Sequence, residues 1–160
     1  MMTITVGDVI NNTLPESGWA GFHIYVFRDD DFILYVGKTE QNVIDRLEEH
    51  LGLTYRSESQ VGRLVKDNAP GSHCWHIDLM TLDDCAPFVR RHFSTSEEMD
   101  VRLAEQAMIL EYAPPLNRES NPQSRPLPHK YLLRKEARVK AAHEKVFNAK
   151  EHSHSNFRSD

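Results

Sequence analysis

The sequence predicts an α+β fold, and three observations support this prediction. Two segments rich in aromatic and β-branched residues, 22–27 and 32–36, flank a polar cluster at 28–31, which is typical of a β-hairpin. Beyond the second segment the apolar residues recur at helical spacing instead. A further strand-like segment, 73–79, is followed by a long helical pattern at 94–112.

Three regions are expected along the chain. Residues 1–18 form a lead-in, with a short helix expected to start at residues 6–10. Residues 19–120 form the main domain, and residues 121–160 form a proline-containing linker followed by a basic tail. Within the tail, residues 131–150 are predicted to be helical because their apolar and basic residues lack any helix breaker.

Helix boundaries in the main domain follow from turn and capping signals. Thr39 is predicted to cap a helix that Gly52 ends. The apolar stripe of this helix consists of Val43, Ile44, Leu47 and Leu51. A weaker helix is predicted over 59–66, and residues 68–71 break it.

Composition and charge limit the classes of function. The whole chain has a net charge of −5, yet residues 125–160 contain 9 Lys or Arg against 4 Asp or Glu, while residues 1–124 contain 10 against 20. An acidic body with a basic arm is expected when the arm supplies phosphate contacts, although a merely solubilising tail is the alternative. No apolar run approaches the roughly 20 residues that span a bilayer, and the N-terminus lacks a signal-peptide pattern.

Cysteine and histidine usage predicts no structural metal centre. Cys74 and Cys85 fit no zinc spacing and are too few for a disulfide framework, and His73 and His76 add no repeated ligand spacing. The three aspartates at 29–31 are better explained by turn formation than by metal binding. A reducing cytoplasm without a membrane segment is therefore the expected location.

The long helix carries the first chemical signal. Ser94 and Glu97 form a capping-box pair that opens it. On a helical wheel, Glu105 falls among the apolar residues Val101, Met108, Ile109 and Tyr112. A carboxylate within an apolar face is costly unless it is paired, protonated or bound to a metal. Pairing with an arginine from a neighbouring element is the alternative to metal binding.

Two further pairs of residues point to a cleft. Arg46 and His50 are four residues apart on the helix after Gly37, so they share one face at the shoulder of its apolar stripe, where either a cleft or solvent would be expected. Tyr25 and Tyr35 lie on the two strands of the hairpin, ten positions apart. Paired tyrosines on a hairpin are commonly packing residues whose hydroxyls need partners.

In this order the motifs resemble those of the GIY-YIG nuclease domain over roughly residues 19–119. The segments that carry the resemblance are His23-Ile24-Tyr25, Tyr35-Val36-Gly37, Asp45-Arg46-Leu47-Glu48-Glu49-His50 and the helix around Glu105 that ends in Tyr112-Ala113-Pro114-Pro115-Leu116-Asn117. His23 stands where the family usually has glycine. The resemblance implies a small three-stranded antiparallel sheet flanked by helices, with a C-terminal helical extension outside it.

The resemblance also implies a metal-dependent endonuclease that hydrolyses phosphodiester bonds. Glu105 is then expected to bind one divalent cation, Mg²⁺ or Mn²⁺. Tyr25 and Tyr35 would position or deprotonate the attacking water, and Arg46 would hold the scissile phosphate. Because a tyrosine with an ordinary pKa is a poor base at neutral pH, this role requires a neighbouring cation such as Lys38 to favour the phenolate.

Supporting roles are implied at three other positions, and a separate role is predicted for the tail. His50 is expected near the phosphate, and Gly37 and Asn117 are expected to support the site. The tail bases expected to bind nucleic acid are Lys130, Arg134, Arg138 and Lys145. Alternatively, the tail helix packs back on the core.

The expected partner is nucleic acid, with DNA preferred and RNA open. The alternative function is a catalytically inactive module of the same fold that binds nucleic acid or another partner. A third possibility is an unrelated α/β domain whose motifs match by coincidence. The sequence favours the enzyme because every polar residue that the chemistry requires is present.

Overall fold

The computed structural model describes the backbone of residues 1–94 and 98–155 and the side chains up to Ser153 within those ranges. The described strands are β1 (Met2–Thr5), β2 (Ile24–Asp29), β3 (Phe32–Lys38) and β4 (His76–Met80). The described helices are α1 (Val6–Ile10), α2 (Val43–His50), α3 (Gln60–Asp67), α4 (Leu82–His92), α5 (Val101–Tyr112) and α6 (Leu133–Ser155). The predicted α+β class is confirmed.

The sheet contains one strand more than predicted within the described part of the chain. Its strand order is β1-β4-β2-β3, and every neighbouring pair is antiparallel. The additional strand is β1, which the sequence assigned to a lead-in. Thr3 on this strand pairs with Asp78 of β4 and also donates its hydroxyl hydrogen to the Asp78 carboxylate at 2.7 Å. The prediction of three strands was therefore one strand short, because it omitted this edge strand.

The hairpin of β2 and β3 divides its side chains between two faces because successive residues of a strand point in opposite directions. Ile24, Val26 and Val36 lie on one face and pack against α5 in a buried apolar cluster. Tyr25, Phe27 and Tyr35 lie on the other face, where their rings surround the ring of His50 at the end of α2. Helices therefore cover both faces of the hairpin, as the sequence led us to expect.

Capping residues set the helix starts, and several differ from the predictions. The side chain of Asn42, not Thr39, accepts hydrogen bonds from the first turn of α2. Asp100 caps α5, so this helix begins at Val101 rather than at residue 94. Glu97 of the predicted capping box lies outside the described residues. The helix α4 was not predicted, although Thr81 and Asp84 form a capping box at its start.

The chain divides into two compact units, Met1–Leu127 and Pro128–Asp160. The first unit contains the sheet and the helices α1 to α5. The second contains α6, which is longer than the predicted 131–150 and exposes Val139, Val146 and Phe147. None of the helices in the described residues has a stretch apolar enough to cross a bilayer.

Candidate active site

A cleft of about 540 Å³ opens beside the edge strand β3, and we call it the main cleft. The predicted site residues that line it are Tyr35, Lys38, Arg46, His50, Glu105 and Asn117. They come from β3, α2, α5 and the loop that follows α5. Although α5 packs on the face opposite to the aromatic rings, Glu105 and Tyr35 line the same cleft, which lies at the open edge of the sheet.

Tyr25 lies beneath this cleft rather than on its wall. Its side chain is fully buried, and its ring centroid is 6.4 Å from that of Tyr35. Gly37 is its cross-strand partner, and a Cβ atom at that position would collide with the Tyr25 ring and hydroxyl. The absence of a side chain at Gly37 therefore allows the Tyr25 ring to lie across β3.

The Tyr25 hydroxyl forms a buried hydrogen bond with His50. The phenolic oxygen is 2.6 Å from Nε2 of His50, and Nδ1 of the same ring is 2.6 Å from the Ser59 hydroxyl. A neutral imidazole satisfies both partners because one ring nitrogen donates while the other accepts. Burial, reinforced by the charge of Arg46, lowers the pKa of His50 to about 4. His50 is therefore neutral at pH 7.

The close approach of α2 and α3 holds Ser59 against His50. Gly62 in α3 lies so near the last turn of α2 that a Cβ atom there would overlap the carbonyl oxygen of His50. Ser59 caps α3 and donates its backbone N–H to that same carbonyl at 3.1 Å. Ser59 was missed in the sequence as a site residue. Its position as an N-cap was the signal that could have indicated a fixed hydroxyl at this point.

Glu105 and Lys38 form an ion pair in the lining of the main cleft. Nζ of Lys38 is 3.5 Å from Oε1 of Glu105, and the Glu105 side chain is 20% exposed. Burial raises the pKa of Glu105, while the charge of Lys38 opposes the rise and that of Glu119 adds to it. The negative charge of the Glu105 carboxylate is thus only partly neutralised by its surroundings, so binding of a further cation beside it would be favourable.

Both tyrosines are protonated at neutral pH. Burial raises the pKa of Tyr25, and burial together with the charge of Glu105 raises the pKa of Tyr35. Lys38 pairs with Glu105, so it does not favour a phenolate in the way that the sequence led us to expect. Among the charged groups, Arg46 opposes the rise in the pKa of both tyrosines.

Arg46 extends from α2 into the main cleft, where its Nη1 donates to Oε2 of Glu49 at 2.8 Å. Its side chain is 39% exposed, so the guanidinium remains accessible from the cleft. An ion pair between partly exposed side chains one helical turn apart contributes little to stability, because solvent screens the two charges. Exchanging Glu49 for a phosphate would therefore cost Arg46 little free energy.

Asn117 joins the loop after α5 to the edge strand. Its side-chain oxygen accepts the N–H of Val36 at 2.9 Å, and its side-chain nitrogen donates to the carbonyl of Val36 at 2.8 Å. The neighbouring Leu116 donates its backbone N–H to the carbonyl of Leu34 at 3.2 Å. These three bonds place the loop along β3 and complete one wall of the main cleft.

His23 forms a specific contact at the position where the family motif has glycine. Its Nδ1 is 2.9 Å from the carbonyl oxygen of Thr39, which identifies Nδ1 as the donor in this contact. The backbone N–H of Thr39 in turn donates to the carbonyl of His23 at 2.9 Å. His23 therefore ties the start of β2 to the end of β3, and its side chain does not line the main cleft.

The residues present fit loose binding of one hard cation rather than a protein cage. Among residues 1–94 and 98–155, no group of three or more His, Cys, Asp or Glu side chains is arranged to hold a metal ion. Mg²⁺ usually retains several waters and is bound through one or two carboxylates together with substrate phosphates. Glu105 in an open cleft matches that donor set.

The predicted tail residues lie in the second unit and do not line the main cleft. Lys130 precedes α6, and its Nζ lies 4.9 Å from the ring centroid of Tyr131. Arg134, Arg138 and Lys145 are exposed on α6. These bases therefore lie at the surface of their own unit, and the site at β3 does not include them.

Three further charged residues line the main cleft and were missed in the sequence. Arg102 lies one turn before Glu105 on α5, and Arg118 and Glu119 follow Asn117. The spacing of Arg102 from Glu105 was visible in the sequence and indicates a shared helix face. No pattern in the sequence indicated that the loop residues Arg118 and Glu119 line the cleft.

Comparison of the chain with protein-family models, with curated proteins and with solved structures finds no match in any of the three. The chemistry assigned to the main cleft therefore depends on the positions of its side chains.

Proposed function

We propose that this protein is a metal-dependent endonuclease that hydrolyses phosphodiester bonds in DNA. The observation that carries the proposal is the convergence of Tyr35, Arg46 and Glu105 on one open cleft. Phosphodiester hydrolysis needs a positioned water, a cation on the phosphate oxygens and a group that stabilises the developing negative charge. The cleft offers a hydroxyl, a guanidinium and a carboxylate for these three tasks. The resemblance of the sequence motifs to the GIY-YIG domain supports the same assignment.

Arg46 is assigned to the scissile phosphate. A guanidinium offers two parallel donors to phosphate oxygens and stays charged at every relevant pH. Its intramolecular partner Glu49 is held by a weak ion pair, so a phosphate can replace it. Lys38 lies beside Glu105 on the opposite wall and adds a second positive charge where negative charge accumulates.

Tyr35 is assigned to the attacking water, and Tyr25 is assigned to a supporting position beside it. The raised pKa of Tyr35 keeps its hydroxyl protonated, so it orients the water by hydrogen bonding. When the hydrogen of His50 is on Nδ1, the Tyr25 hydroxyl donates to Nε2. This bond fixes the rings of Tyr25 and His50 against the ring of Tyr35. Ser59 keeps the imidazole in the required orientation.

Glu105 would hold the divalent cation, Mg²⁺ or Mn²⁺. Bound there, the cation would polarise the phosphate and help the leaving oxygen. The remaining residues of the cleft act without it, as binding groups and orienting groups.

The test is cleavage of supercoiled plasmid DNA with Mg²⁺ or Mn²⁺, comparing the wild type with Glu105→Gln. We expect the variant to lose cleavage by at least about 100-fold, in line with loss of a key electrostatic group. Its melting temperature should not fall, because the substitution removes a half-buried charge and keeps the side-chain volume.

The matched control is Glu111→Gln, which makes the same change on the same helix. Glu111 does not line the main cleft, and its carboxylate bonds to Arg91 at 2.8 Å and to His92 at 2.7 Å. This variant should cleave like the wild type. If the wild type binds DNA but cleaves it with neither metal, the protein is a binding module and the enzyme assignment is wrong.

A further inference from the structure

A second cleft of about 540 Å³ adjoins the main cleft. Lys38, Arg46 and Arg102 line both clefts, so the two share a wall and form one groove. The second cleft is bounded on its far side by Arg56, which belongs to the loop between α2 and α3. The groove therefore runs from the loop after α5, past the three shared cations, to the α2–α3 loop.

Basic residues are concentrated in this groove. The unit Met1–Leu127 has 11 Lys or Arg against 20 Asp or Glu, a net charge of −9. The bases that line the two clefts are Lys38, Arg46, Arg56, Arg102 and Arg118, which are 5 of those 11. The acids that line them are Glu40, Glu49, Glu105 and Glu119, which are 4 of the 20. A surface that repels polyanions elsewhere thus attracts them along this groove.

Arg102 and Arg118 are available to an external anion. Both are exposed, and neither forms a salt bridge with an acidic side chain of the described residues. Lys38 and Arg46, by contrast, are each paired with a glutamate. Arg102 stands on α5 one turn from Glu105, at the point where the main cleft passes into the second.

An aromatic side chain stands beside the far end of the groove. Tyr55 is 92% exposed, and the guanidinium carbon of Arg56 lies 5.7 Å from its ring centroid. Leu53 in the same loop is 46% exposed. An exposed aromatic ring next to a phosphate-binding cation is the arrangement that proteins use to stack on nucleic-acid bases while holding the backbone.

We propose that this groove binds the DNA strand beyond the scissile phosphate, an inference that rests on the proposed endonuclease function. Arg102 binds the phosphate next to the reaction centre, and Arg56 binds one further along the strand. Tyr55 stacks on a base of the same strand. Because stacking needs an accessible base face, a duplex with an unpaired or frayed stretch on this side of the cut binds more tightly than a continuous duplex.

The test uses the full-length chain with Glu105→Gln, so that binding is measured without cleavage. Fluorescence anisotropy with a fluorescein-labelled duplex carrying a single-stranded extension gives the Kd over a series of salt concentrations. We expect Arg56→Gln and Arg102→Gln each to weaken binding about tenfold near 0.1 M salt and to reduce the slope of log K against log salt by about 0.7 to 0.9. The matched control is Arg90→Gln, because Arg90 is an exposed arginine of α4 that lines neither cleft. This substitution should change neither the Kd nor the salt slope.

Tyr55 gives a different signature. Tyr55→Ala should weaken binding by about 5- to 100-fold without changing the salt slope, because stacking releases no counterions. Tyr55→Phe should restore the affinity, since a phenyl ring stacks as well. Loss of affinity in Tyr55→Phe equal to that in Tyr55→Ala would show that stacking is not the interaction.

The inference is overturned if Arg56→Gln and Arg102→Gln behave like Arg90→Gln, or if the parent does not bind the labelled DNA. The proposed function is decided separately by plasmid cleavage. If the wild type cleaves DNA but the arginine variants bind it normally, the DNA-binding role of the groove is rejected and the endonuclease function is retained. If the arginine variants bind DNA more weakly but the wild type never cleaves it, the endonuclease function is rejected and the DNA-binding role of the groove is retained.

Discussion

Tyr25 and Tyr35 lie on neighbouring strands of the hairpin but have different surroundings. The Tyr25 hydroxyl is buried and 2.6 Å from His50, whereas Tyr35 is partly exposed on the wall of the main cleft. A buried hydrogen bond contributes to folding, and removing one partner leaves the other unsatisfied. The two hydroxyls therefore make separable contributions to stability and to chemistry.

Tyr25→Phe should lower the free energy of unfolding by about 1–3 kcal/mol, because His50 would lose a buried hydrogen-bond partner. Tyr35→Phe should change it by less than about 0.5 kcal/mol, the range of an ordinary partly exposed site. Urea denaturation followed by circular dichroism measures both. Under the proposed function both variants lose cleavage activity. Equal losses of stability would show that the Tyr25–His50 bond adds nothing to folding.

His50 predicts a specific pH dependence of stability. Its pKa is lowered from 6.5 to about 4, so between these values the unfolded chain binds a proton that the folded chain does not. This contribution is complete above about pH 6.5 and is lost as the pH falls toward 4, amounting to about 3 kcal/mol. Denaturation of the wild type and of His50→Gln at a series of pH values measures it. The wild type should lose its advantage as the pH falls, and parallel pH profiles would contradict the assignment.

At the scale of elements, the contact between α2 and α3 holds His50 in place. The last carbonyl of α2 accepts the N–H of Ser59, and Gly62 lets the two helices approach this closely. Because the atom that a new Cβ would meet is backbone, it cannot move aside without shifting a helix. The geometry of His50 thus depends on a residue that never touches the main cleft.

Gly62→Ala should lower the free energy of unfolding by about 1–3 kcal/mol, in the range of overpacked sites, and it should also reduce cleavage. The matched control is Gly71→Ala, since a Cβ atom at Gly71 meets nothing within 4 Å. Thermal unfolding and plasmid cleavage of both variants provide the measurement. A Gly62→Ala protein as stable as Gly71→Ala would show that the two helices are not in close contact.

For the whole molecule, the tail forms a unit of its own. The sequence placed the linker at 121–129, but the side chain of Asn121 donates to the carbonyls of Pro114 and Asn117, and Arg125 donates its N–H to Ala113. The boundary between the units therefore falls after Leu127. Within the second unit, Val139 and Val146 are 46% and 58% exposed.

Deleting residues 128–160 should weaken DNA binding and flatten its salt dependence by about 0.9 for each phosphate that the tail neutralises. The melting temperature of the remaining unit should stay unchanged. A matched variant keeps the helix and replaces Lys130, Arg134, Arg138 and Lys145 with glutamine. Both proteins should bind DNA more weakly than the wild type in anisotropy titrations. A lower melting temperature with an unchanged salt slope would assign the tail to packing instead.

The sequence predicted the parts of this molecule that depend on local pattern. The hairpin, α2, α3 and the helix that carries Glu105 follow from periodicity and capping, and six of the twelve predicted site residues line one cleft. It missed β1, a strand of 4 residues whose pairing partner, β4, is about 75 positions away. The burial of Tyr25 and the capping serine at His50 also depend on packing between distant segments, which a pattern in one segment does not encode.

Asn117 has a consequence for the behaviour of the protein in solution. As the last strand of the sheet, β3 would otherwise present unpaired backbone groups, and such edges recruit other chains into mixed sheets. Asn117 and Leu116 occupy the outward-facing groups of Val36 and Leu34. The same loop that shapes the main cleft therefore protects the edge of the sheet from pairing with other chains. Variants that lose the hydrogen bonds of Asn117 to Val36 are expected to become insoluble as well as inactive.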